Sequence, residues 1–193
     1  YYQDTAERIA KETGAFYVNQ FGNPANPPAH EAGTGPEIFH QMDQDIDAMV
    51  CGVGSGGTLT GLGRYFKRVS PKTQMVVADP EGSIVAHYVN EGELLDEVGS
   101  WTVEGIGEDF IPPVSDMSLA DSAYTIPDAE SMAVAQELLE KEGILGGSSS
   151  GTLIAAALRY CREQTEAKRV CTFVCDNGNK YLTKVFNDLW LYD

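Results

Sequence analysis

Between an apolar run, Ile46 to Val53, and a helical pattern, Thr58 to Val69, lies the segment Cys51-Gly52-Val53-Gly54-Ser55-Gly56-Gly57-Thr58. Glycines so placed at a strand-to-helix junction leave backbone amides bare, so an anion can approach them closely. The helix start adds a partial positive charge at the same point. No Gly-Lys-Ser/Thr follows, so the loop is not a nucleotide P-loop. Gly52, Gly54 and Gly57 do satisfy the dinucleotide fingerprint, and Asp79, ending the next predicted strand, stands where a ribose-binding acid would. Against that, Pro80 forces a turn directly after Asp79, and the hydroxyls of Ser55 and Thr58 suit a compact, terminal phosphate monoester. A phosphate site, a dinucleotide site and a purely structural glycine turn are the three readings of this loop.

The rest of the chain alternates in type. Thr5 to Thr13 reads as a helix ended by Gly14, and Ala15 to Val18 as a brief strand. Gln20 to Pro28 is too rich in Pro, Asn and Gly to be regular. Thr34-Gly35-Pro36-Glu37 has the form of a capping box, opening a helix that runs through Gln41. Gln74 to Asp79 reads as a strand, Gly82 to Asp121 as mixed and acidic, Asp128 to Glu142 and Thr152 to Arg162 as helices, and Arg169 to Cys175 as a strand. Such alternation predicts an α/β fold with a mainly parallel sheet flanked by helices, whose ligands bind beyond the carboxyl ends of the strands.

Charge narrows the partners. Lys plus Arg number 13 and Asp plus Glu 29, a formal net charge of −16. Such a balance disfavours nucleic acid and anionic lipid, both of which need clustered cations. No apolar stretch approaches a membrane span, and no signal peptide opens the chain. The four cysteines form no Cys-x-x-Cys pair, and Cys171 and Cys175 are expected on one face of a strand as structural thiols. His30, His40 and His87 lack zinc-ligand spacing, so no metal site is expected. A reducing cytoplasm is the expected compartment.

A second loop, Glu142-Gly143-Ile144-Leu145-Gly146-Gly147-Ser148-Ser149-Ser150-Gly151, also precedes a helix. Alone it reads as a serine-rich N-cap. Paired with the first, it offers a hydroxyl to another part of the same ligand.

These two loops, together with Asn23-Pro24-Ala25-Asn26-Pro27, Asp79-Pro80-Glu81-Gly82-Ser83, Glu104-Gly105-Ile106-Gly107 and Cys175 to Lys184, resemble the fold-type II pyridoxal-phosphate enzymes of the cysteine synthase and cystathionine β-synthase group. The match in order and spacing covers essentially the whole chain. Asp79 to Ile84 and Asn187-Asp188-Leu189-Trp190 lean toward cystathionine β-synthase. The resemblance implies a tryptophan-synthase-β-like sheet and pyridoxal 5'-phosphate as cofactor. Gly54, Ser55, Gly56, Gly57 and Thr58 would wrap its phosphate, and Ser149 would hydrogen-bond its pyridine nitrogen, with an assignment that can slip to Ser148 or Ser150. Gln20, Gly105, Ile106 and Gly107 would line the substrate side.

The implied activity is β-replacement on serine or an activated serine, with a thiol or sulfide as nucleophile, in a homodimer acting on small amino acids. Residues 1–45 would be the remainder of a smaller domain and the crossover, and residues 46–193 the large cofactor-binding domain. The family's Schiff-base lysine and substrate-carboxylate loop lie upstream of every motif seen here, so the N-terminal part of the catalytic unit is expected outside this chain. Of the lysines present, Lys180, after the last strand, is the sole candidate for that role. Glu108 stands where the synthase often has tyrosine, which leaves the second substrate open. A nicotinamide-dependent oxidoreductase built on Gly52, Gly54, Gly57 and Asp79 is the rival enzyme, and a non-catalytic phosphate-ligand or scaffold domain the rival of another class.

Overall fold

Two near-continuous apolar runs become the central strands β1 (Ala48–Gly52) and β2 (Gln74–Pro80). Residues so apolar on both faces are stable only with helices covering each side, which is what a parallel sheet provides. The computed structural model describes residues 1–95 and 97–191. Within them, β3 (Ser122–Ile126) and β4 (Val170–Cys171) complete an all-parallel sheet in the order β3-β2-β1-β4. Register pairs Val50 with Val76, and Ala78 with Tyr124.

Alternation along the strands sorts the core into two layers. Met49, Cys51, Met75 and Val77 face one side, where Leu59, Leu62 and Phe66 of α4 (Gly57–Val69) and Val85 of α5 (Val85–Glu91) close over them. Ala48, Val50, Val76 and Ala78 face the other, under Leu153, Ala156 and Tyr160 of α7 (Ser148–Glu163). The small alanines let α7 lie close to the sheet. Helix α6 (Asp128–Glu142) packs outside α7, and Gly151 permits the approach, since a Cβ there would overlap the Ser131 carbonyl.

The amino-terminal third attaches to the α4 side. Helix α1 (Tyr2–Thr13) buries none of its residues. Helix α2 (Asn26–Ala29), a π-helical turn His30–Thr34 and α3 (Gly35–Gln41) form one continuous rod against α4. Gly61 makes that contact close, because a Cβ there would press into the Pro27 carbonyl. No helix among the described residues is long and apolar enough to cross a membrane.

Four local expectations change. Ala15 to Val18 is an exposed loop, with no neighbouring strand to complete its ladder. Thr34 does not cap α3: its backbone is already helical, at φ −61° and ψ −43°, and its hydroxyl meets His30 Nδ1 at 3.0 Å instead. The π turn joins the two helices because Pro36 has no N–H for an α-helical bond; the Gly35 N–H reaches back to the His30 carbonyl. The last strand stops at Cys171, because the Thr172 hydroxyl takes the Val50 carbonyl that a continuing ladder would need. Cys175 therefore lies in the following loop, off any strand face shared with Cys171. Finally, α5 falls in the stretch read only as mixed, β3 follows directly after it in residues that were given no element, and α7 begins at Ser148, four residues before the helical pattern.

Candidate functional site

The β1–α4 loop is shaped by what its glycines avoid. Gly56 sits at φ 79° as the residue before α4, a left-handed conformation that costs an L side chain dearly. A Cβ on Gly57 would occupy the space of the Asn26 side-chain amide, and one on Gly54 would come 2.7 Å from the Gly105 carbonyl oxygen. The loop is thus packed from behind and left bare in front. The Asn26 side-chain amide donates to Ser55 Oγ at 3.0 Å, orienting that hydroxyl. Thr58 Oγ1 lies 3.4 Å from His30 Nε2, whose other ring nitrogen engages Thr34. Burial lowers the His30 pKa, which favours the neutral ring that such paired hydroxyl contacts require.

A cavity of about 320 Å³ opens in front of this loop. Gly54, Ser55 and Thr58 form one wall, Gly105 and Ile106 another, and Leu153, Phe173 and Cys175 a third. It lies beyond the carboxyl ends of the parallel strands, where such sheets bind ligands. The Gly105–Gly107 loop is held there by the Gly107 N–H on the Val53 carbonyl, 2.8 Å, and by Trp101 Nε1 on the Ile106 carbonyl, 3.1 Å. Positive φ at Gly105 (89°) and Gly107 (88°) makes that tight reversal possible. Gln20 stands at the rim, and its side-chain amide has no hydrogen-bond partner among the described residues.

The second glycine loop leads into α7 on the other face of the sheet, and its serines neighbour Cys175. Gly147 precedes α7 in extended backbone, so Ser148, Ser149 and Ser150 are all in its first turn, and all are buried. Ser148 Oγ accepts from the Glu104 N–H at 3.2 Å, and Ser150 Oγ from the Cys175 N–H at 2.9 Å. Ser149 is the member of the three whose hydroxyl has no such backbone duty; it lies beside the Cys175 thiol. Burial pushes that thiol up, and the Ser149 and Ser150 hydroxyls partly offset the shift. Cys175 itself lines the cavity, whereas Ser149 is buried and is not on its wall.

Two candidates from sequence are set aside. Asp79 is wholly buried, and its Oδ2 accepts from the Ala86 N–H at 2.8 Å at the start of α5, so it cannot present a carboxylate to a ribose. Lys180 is largely exposed and pairs with Asp176 at 3.2 Å, off the wall of the cavity. Two residues that sequence reasoning passed over join the site. In sequence His30 is one of three scattered histidines, and its spacing of four from Thr34 is the available signal; Cys175 reads in sequence as part of a strand.

Residues 2–176 match the profile of the family described as pyridoxal-phosphate dependent enzyme. The chain belongs to the pyridoxal-phosphate dependent enzymes. The parallel, helix-flanked sheet is the fold type II arrangement of that family. The chain is 38% identical over 187 residues to a cystathionine beta-synthase of Apis mellifera, covering 96% of this chain and 36% of that protein. It is 39% identical over 195 residues to the cystathionine beta-synthase of Saccharomyces cerevisiae (96% and 38%). It is 39% identical over 191 residues to cysteine synthase A of Escherichia coli (96% and 59%). The chain therefore spans between about a third and three-fifths of the length of these relatives.

The site fits the cofactor of this family on its own geometry. The Gly54–Thr58 loop offers bare amides, two hydroxyls and the start of a thirteen-residue helix to a phosphate. Ile106 covers the depth of the cavity on one side, seated where Gly52 has no side chain, and Leu153 and Phe173 face it, an apolar slot suited to a flat ring.

Proposed function

We propose that this chain supplies the phosphate and ring-nitrogen side of a pyridoxal 5'-phosphate site in an enzyme that performs β-replacement on serine or an activated serine, with a thiol or sulfide as nucleophile. The observation that supports this reading is convergence: the loop at Gly54 and Leu153 of α7, nearly a hundred residues apart in sequence, line one cavity of about 320 Å³, and Cys175, which neighbours Ser149 and Ser150, lines it as well. A structural glycine turn would need no such partner.

In this reading Gly54, Ser55, Gly56, Gly57 and Thr58 hold the phosphate through loop amides and hydroxyls, with Asn26 and His30 fixing the directions of the two hydroxyls. That arrangement needs no cation, which suits a protein of net charge −16. Ser149 faces the ring nitrogen with a neutral hydroxyl. Bound pyridoxal phosphate supplies an electron sink that loosens the β-substituent of an amino acid. A hydroxyl in place of a carboxylate at the ring nitrogen keeps that sink moderate and favours elimination over a long-lived carbanion. Gln20 and the Gly105–Gly107 loop stand on the substrate side of the cavity.

Residues 1–45 belong in this reading with a smaller domain and its crossover, and residues 46–193 with the large domain. The relatives' names support the substrate pair, and the family resemblance carries a homodimer in the cytoplasm.

The test uses the full-length protein. Titration with pyridoxal phosphate, followed by absorbance, should show saturable binding, and addition of serine or O-acetylserine should shift the spectrum. Mass spectrometry should then detect a thioether amino acid or cysteine once a thiol or sulfide is supplied. Saturable cofactor binding with no spectral response to either amino acid would leave a scaffold and end the enzymatic reading.

A further inference from the structure

The Asp79-Pro80-Glu81-Gly82-Ser83 stretch carries β2 over into α5, off the wall of the cofactor cavity. Its last member, Ser83, is buried, and its hydroxyl is fully engaged. The oxygen accepts from the Glu108 N–H at 3.0 Å and from the Val85 N–H at 3.3 Å. Its single proton has two acceptors in reach, the Glu108 carbonyl at 3.1 Å and the buried Asp79 carboxyl. One hydroxyl thus meets both backbone polar groups of a residue 25 positions away, which takes up its whole capacity of one donor and two acceptor sites. The Ile84 N–H adds a second bond to the same carbonyl, at 3.0 Å.

Glu108 directly follows the Gly105–Gly107 loop. Its carboxyl, on a wall shared with Trp101 and Phe110, has no hydrogen-bond or ion-pair partner among the described residues, so the backbone alone anchors this residue. Gly107 lies so close beneath Pro80 and Trp101 that a Cβ there would come 2.5 Å and 2.8 Å from them. Ile106 fills the space that Gly52 leaves free, its Cγ2 being 2.6 Å from where a Gly52 Cβ would stand. Contacts therefore run without a break from Ser83 through Glu108 to Ile106, on the wall of the cofactor cavity. With glycines at positive φ on both sides of Ile106, the loop has little conformational preference of its own, and its position must be imposed from outside. Three contacts impose it: Gly107 on Val53, Trp101 on Ile106, and Ser83 on Glu108.

We propose that Ser83 is a positioning residue: by clamping the Glu108 peptide it sets Ile106 against the cofactor cavity. The proposal rests on the cofactor-site reading of that cavity and adds to it a residue that touches neither cofactor nor substrate. Without the Ser83 hydroxyl, the Glu108 N–H has no acceptor among the described residues, and an unsatisfied backbone group drives the peptide to turn toward water. Glu108 is joined to Ile106 through Gly107 alone, so that turn moves Ile106 off the cavity wall. The slot opposite Leu153 and Phe173 then widens, and a flat ring loses its packing on one side.

The experiment compares the full-length protein with its Ser83→Ala, Ser83→Thr and Trp101→Phe variants; the last deletes the bond to the Ile106 carbonyl and keeps an aromatic ring. In Ser83→Ala, absorbance titration should show pyridoxal phosphate affinity falling roughly five- to tenfold, the loss of a single well-placed hydrogen bond. The visible circular dichroism of the bound cofactor, which reports the asymmetry of its surroundings, should shrink. Ser83→Thr keeps the hydroxyl and should restore both readouts, and Trp101→Phe should move both in the same direction as Ser83→Ala. A Ser83→Ala protein that melts lower but keeps the parent's affinity and dichroism has lost a structural contact only, and overturns the proposal. Equal losses in folded Ser83→Ala and Ser83→Thr do the same. If neither Ser83 variant folds, Trp101→Phe decides: unchanged affinity and dichroism would show that the loop position does not matter to the cofactor. Absence of saturable binding in the parent would end the cofactor-site reading instead. Hydrogen exchange would then still test the clamp, since the Glu108 amide should exchange roughly tenfold faster in Ser83→Ala.

Discussion

The Asn26 side-chain amide and the Ser55 hydroxyl, 29 residues apart, meet at 3.0 Å across the junction of the α2 rod and the β1–α4 loop. The same amide also donates to the Gln20 carbonyl at 2.9 Å, so one side chain ties the substrate-side segment to the phosphate loop. Asn26→Ala removes both bonds and frees Ser55 to rotate. Losing about 1 kcal/mol of orientation corresponds to roughly fivefold weaker cofactor binding. An absorbance titration of the variant in the full-length protein checks this, and unchanged affinity would remove Asn26 from the site.

Gly56 has φ 79°, and a Cβ there would run into the Ser115 side chain. Gly56→Ala should destabilise the protein by at least about 2 kcal/mol, combining left-handed strain with the clash. Urea unfolding measures it, and cofactor affinity should fall in parallel because the loop must shift. A variant as stable as the parent would contradict the conformation of this residue.

Gly151 and Gly33 form a matched pair for the same substitution. At Gly151 a Cβ overlaps the Ser131 carbonyl, so α6 and α7 must move apart, whereas at Gly33 the space is open. Gly151→Ala should cost about 2 to 3 kcal/mol of overpacking, and Gly33→Ala less than about 0.5 kcal/mol. Equal midpoints for the two variants would show that helix contact does not depend on Gly151.

Asp79 imposes a pH dependence. Burial raises its carboxyl from 3.8 to about 6, only partly countered by the hydrogen bonds from Ala86, Ser83 and Val85. A raised folded pKa means that the fold favours the protonated acid. Its stabilising share is therefore full below about pH 4 and is lost as pH rises through about 6. The loss is on the order of 3 kcal/mol for a shift of this size. Asp79→Asn should abolish this part of the fall in unfolding free energy between pH 4 and 7. Glu108 titrates in the same direction, so only the difference between parent and variant reports Asp79. Parallel pH curves for the two proteins would show that Asp79 is ionised freely.

Much of the architecture was legible in the chain because the central strands β1 and β2 are buried on both faces and must be apolar throughout. Edge elements were less so. β3 carries Ser122, Tyr124 and Thr125 in partly exposed positions, so its composition does not separate strand from loop. β4 is only two residues, ended by a side-chain bond from Thr172 that no periodicity foretells. α7 begins at Ser148 because hydroxyls in its first turn satisfy the Glu104 and Cys175 amides, which are distant in sequence.

By itself the sequence determined the two glycine loops, each at the head of a helix, and hence the kind of ligand group they suit: bare amides and hydroxyls bind anions by local geometry alone. It could not decide what each side chain near them does. Asp79, placed by its spacing on a ribose, is sealed beneath α5, while Glu108, one acid among 29, is left without a partner in an aromatic cavity. That difference is one of burial and counter-charge, and both are set by residues that only the folded chain brings near.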